Sequence, residues 1–225
     1  MPILEKMDDF FNSRAEIYED HMLKDVGLYE FYEEIAGLIV VSNPNPTLLD
    51  LGCGTGLELE KLFEKYPGIQ ITGIDIADEM LKELEHKFKE KSINLICGSY
   101  FDVEFGNDFD VVLSTYSLHH FNESEKLALY KKVYGSMKPD GLYVEGDYTV
   151  KTDEEQSLYL SELVRFKREQ NLSDDNFYHY DTPMTAENQI KLLELSGFSN
   201  IKIIRQWEST TIITAKKLKR QEVKT

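Results

Sequence analysis

The chain has 225 residues, enough for one α/β domain with an elaboration, and 41% of them are hydrophobic and 29% charged, as in a globular protein with a real core. Its 41 acids against 25 bases give a formal net charge of −16, which argues against a nucleic-acid partner, because Lys and Arg must neutralise phosphates. No apolar run reaches membrane-spanning length, the start lacks the basic-then-apolar layout of an export signal, and Cys53 and Cys97 make neither a disulfide framework nor a zinc-ligand spacing, so a cytoplasmic chain with no membrane partner is expected.

Residues 1–41 read as helical and aromatic-rich, with Phe10, Phe11, Tyr18, Tyr29, Phe31 and Tyr32 ahead of the first strand. "TLLDLG", from Thr47, reads as a buried strand, and Leu59, Leu62, Phe63 and Tyr66 then recur at helical spacing. "IQITGID" is a second strand, and Met80, Leu81, Leu84 and Phe88 mark a second helix. "INLICG" and "DVVLS" are further strands. Leu127, Tyr130, Tyr134 and Met137 mark another helix, stopped by "KPDG", before the strand "GLYVEGDY". Strand–helix alternation of this kind predicts a mainly parallel sheet covered on both faces. Residues 151–185 break it with a charged helical segment and the polar, aromatic run "DDNFYHYDTPMT"; a helix ending at Gly197 and the strands "NIKIIRQW" and "STTIITAKK" give an antiparallel finish. One domain is expected, with a helical cover (1–41), a ligand-binding core (47–150), a lid insertion (151–185) and a C-terminal helix and strand pair (186–216). The basic end, "KKLKRQEVKT", reads as a frayed terminus rather than a binding patch.

The stretch after the first strand carries the chemistry. Gly52, Gly54 and Gly56 let a ligand approach the backbone, and a glycine turn at this place in a parallel sheet usually holds a nucleotide. Leu57 stands where a dinucleotide fold has its third glycine. Asp50, Glu58 and Glu60 flank the turn with no Lys or Arg between Asp50 and Glu60, so the loop favours a ligand without phosphates. S-adenosylmethionine is such a ligand, an adenosine joined through a sulfonium to an amino acid. Asp75, at the end of the second strand, is placed to accept from its ribose.

These residues resemble the class I S-adenosylmethionine-dependent methyltransferases, and the resemblance covers most of the chain. "LLDLGCGTG" is similar to the family's first motif (Asp50, Gly52, Cys53, Gly54, Gly56), and "GIDIADEML" to its second. There Asp75 matches the acid that binds the ribose hydroxyls, Ile76 the apolar residue against adenine, and Met80 lies in the same motif. "CGSYFD" corresponds to the third, where Gly-Asp is common and this chain has Gly98-Ser99, so Ser99 and Tyr100 are expected at the cofactor. "FDVVLSTYSLHHF" resembles the fourth-strand motif and places Ser114 and Thr115 nearby; "FNSRAEIYED" resembles the N-terminal segment of small-molecule members, with Arg14 and Tyr18 over the methionine end. The resemblance implies a Rossmann-like, mainly parallel seven-stranded sheet with an antiparallel C-terminal strand.

The implied reaction is an in-line displacement, catalysed largely by positioning and exclusion of water, with a base only where the acceptor holds its proton tightly. Asp147, His119 and His120 at the strand tips are the candidate catalytic groups, with Glu145 alternatively partnered inside. Tyr148, Tyr178, His179 and Tyr180 are candidate acceptor contacts. His119, His120, Asp147, His179 and Asp181 sit on segments that could converge, but no ligand spacing supports a metal, and none is expected. The expected partner is a small-molecule methyl acceptor. The alternatives are an RNA methyltransferase, against which the acidity and the absence of an N/D-P-P-Y motif argue, and a non-catalytic cofactor-binding protein.

Overall fold

In the computed structural model, which describes residues 2–25 and 28–218, parallel strands run through the centre of the molecule and their carboxyl ends all point one way. The strands are β1 (Thr47–Leu51), β2 (Gln70–Asp75), β3 (Ile93–Cys97), β4 (Phe109–Thr115), β5 (Met137–Val150), β6 (Met184–Thr185), β7 (Ser199–Gln206) and β8 (Thr210–Lys216). Their order is β3-β2-β1-β4-β5-β8-β7, with the short β6 paired to β5 beside this path. The expected seven-strand sheet is therefore present with one two-residue addition. β8 runs antiparallel to both β5 and β7, which gives the antiparallel finish.

The helices are α1 (Met7–Asn12), α2 (Ala15–Asp20), α3 (Tyr29–Leu38), α4 (Leu59–Lys65), α5 (Asp78–Lys87), α6 (Glu123–Ser136), α7 (Asp153–Glu169) and α8 (Ala186–Leu195). Side chains on the central strands alternate between two cores, as the period of two requires. Leu48, Val111, Leu113, Val144 and Ile212 face α3 and α4, whereas Leu49, Leu51, Val112, Tyr143 and Ile213 face α6 and α8. Each such fully buried side chain contributes about 1.5–3 kcal/mol relative to exposure, so the sheet is a rigid platform.

Helix ends follow local chemistry. Asn122 accepts from Ser124 and Glu125 backbone N–H groups while Glu125 accepts from the Asn122 N–H, a reciprocal cap that starts α6. Thr152 and Glu155 do the same for α7. Met137, read from the sequence as helical, begins β5 instead and pairs with Phe109. "KPDG" is a kink inside that strand, with Asp140 at a φ of 64°. An apolar residue at helical spacing after α6 serves equally well as an inward strand position, which is why period alone misplaced it.

The two covering segments are tied together. Residues 5–7 run antiparallel to 177–179: Met7 N–H donates to Phe177 O (3.0 Å) and His179 N–H to Glu5 O (3.0 Å). Gln170 accepts from Leu4 N–H at 3.0 Å. Asn12 accepts from Glu79 N–H (2.9 Å) and Glu19 pairs with Lys87 (2.7 Å), fixing α1 and α2 over α5. The basic tail from residue 219 onward lies outside the described residues.

Candidate active site

The strand order reverses between β1 and β4, and the crevice beyond their carboxyl ends is where open α/β sheets bind ligands. A cavity lies there, lined by Gly52, Gly54, Asp75, Ile76, Met80, Ser99 and Tyr100 and roofed by Phe11 and Tyr18. All nine come from segments singled out in the sequence. Gly52 has a φ of 76°, and a Cβ there would stand 2.2 Å from Ser117 Oγ and 2.7 Å from the Tyr100 hydroxyl, so no other residue fits. Gly54 N–H donates to Asp75 at 2.9 Å, and Ala77 N–H holds the other carboxylate oxygen at 2.8 Å.

The remaining first-motif residues support this cavity from outside its wall. Gly56 packs against Phe88, Leu59 and Leu84, and Cys53 is buried against Gly73. Ser114 hydroxyl donates to Leu51 O at 3.0 Å, and Thr115 faces Glu58 at 3.5 Å. In their place Tyr116 and Ser117, just past β4, reach the cavity. Tyr116 holds a φ of 46°, rare for a bulky side chain, and its hydroxyl is 3.0 Å from that of Thr210. Met7, Gly98, Phe121 and Phe177 also line this space and were not anticipated.

Beneath the glycine turn the charge is one-sided. Asp50 and Glu58 are buried, and apart from the facing carboxyl, with which a proton can be shared, no donor reaches either Asp50 oxygen or Glu58 Oε1. Burial and then the Glu58 charge push the Asp50 carboxyl well above its usual range. Burial raises Glu58 and Asp75 as well, although backbone N–H groups at Ala77 and Gly54 pull Asp75 back. A ligand carrying positive charge without phosphate is what such a floor accommodates; S-adenosylmethionine, with its sulfonium and ammonium, fits it.

A second cavity of about 490 Å³ adjoins the first and shares Phe11, Tyr18, Tyr116 and His120 with it. His119, Tyr148, His179, Asp181 and Arg14 complete much of its wall. Arg14 thus faces this space rather than the first cavity, and its guanidinium is held by Glu5 at 3.0 Å and by Phe10 O at 2.9 Å. His179 stacks on Phe10 with centroids 3.4 Å apart. Tyr178 lies outside this wall, packed with Leu4 and Phe166, and the Tyr180 hydroxyl donates to Glu162 at 2.9 Å. Both are lid packing.

Asp147 is buried behind the second cavity. It accepts from Leu118 N–H (2.8 Å), which anchors the single helical turn Leu118–His120, and from His119 Nδ1 (2.5 Å). It therefore bonds to His119 and Leu118 rather than reaching the cleft. His119 Nε2 is 3.3 Å from Asp181. Burial lowers the His119 pKa, but the Asp147 and Asp181 carboxylates outweigh it and hold it at about 9. Burial and the neighbouring His119 push His120 down to about 3. Glu145 accepts from the Tyr130 hydroxyl (2.8 Å) and the Tyr143 hydroxyl (2.8 Å) inside the α6 layer, so it plays no part in the cleft.

Residues 48–141 match the family model described as a methyltransferase domain. Among curated proteins, the carboxy-S-adenosyl-L-methionine synthase of Campylobacter fetus is 24% identical over 91% of this chain and 92% of its own length. That of Wolinella succinogenes is 26% identical over 95% of each. A DhpI–SAH complex superposes with a TM-score of 0.70 at 16% identity, covering 94% of this chain and 95% of that one. The methyltransferase-domain match covers residues 48–141, and over nearly its whole length the chain is similar in fold to solved methyltransferases. Human N-acetylserotonin methyltransferase in complex with SAM shares the fold at a TM-score of 0.63 and 18% identity, with 93% of this chain and 55% of the human one covered. Among the described residues of this chain no helix is long and apolar enough to cross a membrane.

Proposed function

We propose that this protein moves the S-adenosylmethionine methyl group to a small molecule held in the second cavity. The observation that carries the reading is the shared wall: two spaces, one over the glycine turn and one under the lid, meet at Phe11, Tyr18, Tyr116 and His120. About 490 Å³ is the size of a metabolite site, within the usual ~300–1,000 Å³. In the transfer the acceptor's lone pair forms a bond to the methyl carbon while the S–CH₃ pair returns to sulfur, leaving S-adenosylhomocysteine. Asp75, Ile76, Met80, Ser99 and Tyr100 hold the adenosyl part, and Tyr18 and Phe11 close over it and exclude water. His120, neutral through the physiological range, stands at the boundary of the two spaces, where with a pKa of about 3 it orients the acceptor rather than taking its proton.

A second reading comes from the relatives named carboxy-S-adenosyl-L-methionine synthase, which align over almost the whole chain. In it the cofactor itself gains a carboxylate from a donor in the second cavity. A donor carboxylate would there meet the two cationic side chains of the wall, Arg14, held by Glu5 and stacked on Phe10, and His119, held between Asp147 and Asp181. Deuteromethyl-labelled cofactor incubated with a metabolite extract separates them. Label in a new small molecule, with S-adenosylhomocysteine formed, supports the first reading; label retained in a heavier, carboxylated cofactor supports the second and overturns it.

A further inference from the structure

We propose that His119, His120 and Asp181 bind a divalent first-row transition-metal ion in the wall of the second cavity, and that the remaining coordination positions take oxygen ligands of the acceptor. One ligand atom from each of the three residues lies within 4.8 Å of the other two. His119 Nε2 is 3.3 Å and His120 Nδ1 3.5 Å from the same Asp181 oxygen. Donor atoms around a tetrahedral ion with bonds of ~2.0–2.1 Å stand about 3.4 Å apart, so little rearrangement separates this cluster from a coordination shell. Two imidazoles and one carboxylate form a ligand set for zinc, manganese, iron or cobalt, with positions left open toward the cavity.

The surroundings hold the cluster in place. Asp147 accepts from His119 Nδ1 at 2.5 Å, which fixes the ring and turns Nε2 toward Asp181, the usual outer-shell arrangement of a metal-bound histidine. Thr182 donates to His119 O through its N–H (2.7 Å) and its hydroxyl (3.1 Å), which fastens the residue after Asp181 to the histidine turn. His120 Nδ1 lies 3.3 Å from Tyr180 O, a contact it must give up to bind the ion. Both histidines are buried, while Asp181 is half-buried and faces the cavity.

For its substrate part this inference rests on the small-molecule reading. It names the class: an acceptor with a hydroxyl or carboxylate pair able to chelate the ion beside the donor methyl. Cobalt(II) titrated into the chelator-treated full chain tests the metal part directly. Stoichiometric binding with visible d–d absorption is expected. Asp181→Asn and His120→Gln should each weaken it at least 100-fold, and Asp147→Asn by about 10–100-fold; each variant should keep the native far-UV circular dichroism in chelator, and Asp181→Asn, at a residue outside the first cavity, should keep its S-adenosylmethionine affinity. If cobalt, zinc and manganese all fail to bind, or bind the variants as tightly as the native chain, the proposal is overturned and the cluster is an imidazolium bridging two carboxylates. Metal bound as expected without methylation of any small molecule would keep the site and overturn the acceptor reading instead.

Discussion

The two cavities that meet at Phe11, Tyr18, Tyr116 and His120 are built in opposite ways. The floor under the cofactor comes from three consecutive strand ends, and its acids face inward without a countercharge. The wall of the acceptor space comes from α1 and α2, the turn after β4 and the stretch 177–182, and every charge on the histidine turn has a partner: His119 lies between Asp147 and Asp181. The floor is incomplete without a cationic ligand. The wall is complete as an electrostatic unit and differs mainly in what it leaves open.

Substitutions can break this contrast. The largest effect is expected at Gly52→Val, where a Cβ meets Ser117 and the Tyr100 hydroxyl at a φ of 76°. Cofactor affinity by calorimetry should fall at least ~100-fold, about 2.7 kcal/mol. Asp75→Ala removes the carboxylate that holds Gly54 and Ala77 N–H groups and should cost about 1.5–3 kcal/mol of cofactor binding. Unchanged affinity in both would place the cofactor elsewhere. On the wall, Asp147→Asn should lower turnover by about tenfold, or ~1.4 kcal/mol, with cofactor affinity retained; loss of both together would show that floor and wall are one unit.

The smallest effect concerns stability. Because Asp50 has a raised pKa in the folded chain, the folded state keeps a proton that the unfolded chain releases. Its contribution is fully present below the ordinary carboxylate range and is lost as pH rises through the raised folded value. Asp50→Asn escapes this loss, so its melting temperature should gain on the native chain as pH increases from 4 toward 8, without cofactor (range set by ordinary carboxylates, ~4). A constant difference across pH would mean that Asp50 is not held protonated.

The same contrast explains what the sequence made legible. The floor was readable because its residues lie in short motifs whose spacing is set by one strand–turn–helix unit; Gly52, Gly54, Asp75, Ile76, Met80, Ser99 and Tyr100 all line the first cavity. Gly56, Cys53, Ser114 and Thr115 belong to those motifs yet pack behind the wall: Gly56 and Cys53 lie in the turn after β1, against Leu59, Leu84 and Gly73, while Ser114 bonds Leu51 O and Thr115 faces Glu58. The acceptor wall was only partly readable. His119, His120, Tyr148, His179 and Asp181 do meet there, but Phe10 arrives through long-range pairing of residues 5–7 with 177–179, which no local pattern encodes, and Tyr116 from the turn just past β4. Asp147 shows the limit most clearly: its place on β5 was correct, and the backbone N–H of Leu118 decides that it faces inward.

The central claim is that the donor methyl sits where the two cavities join. Cofactor carrying a ¹³C-labelled methyl group, bound to the full chain, tests this by isotope-filtered NMR. Contacts from the methyl protons to Phe11, Tyr18, Tyr116 and His120 are the expected result. Contacts instead to Met7 and Phe177, at the cavity's other wall, would contradict the account.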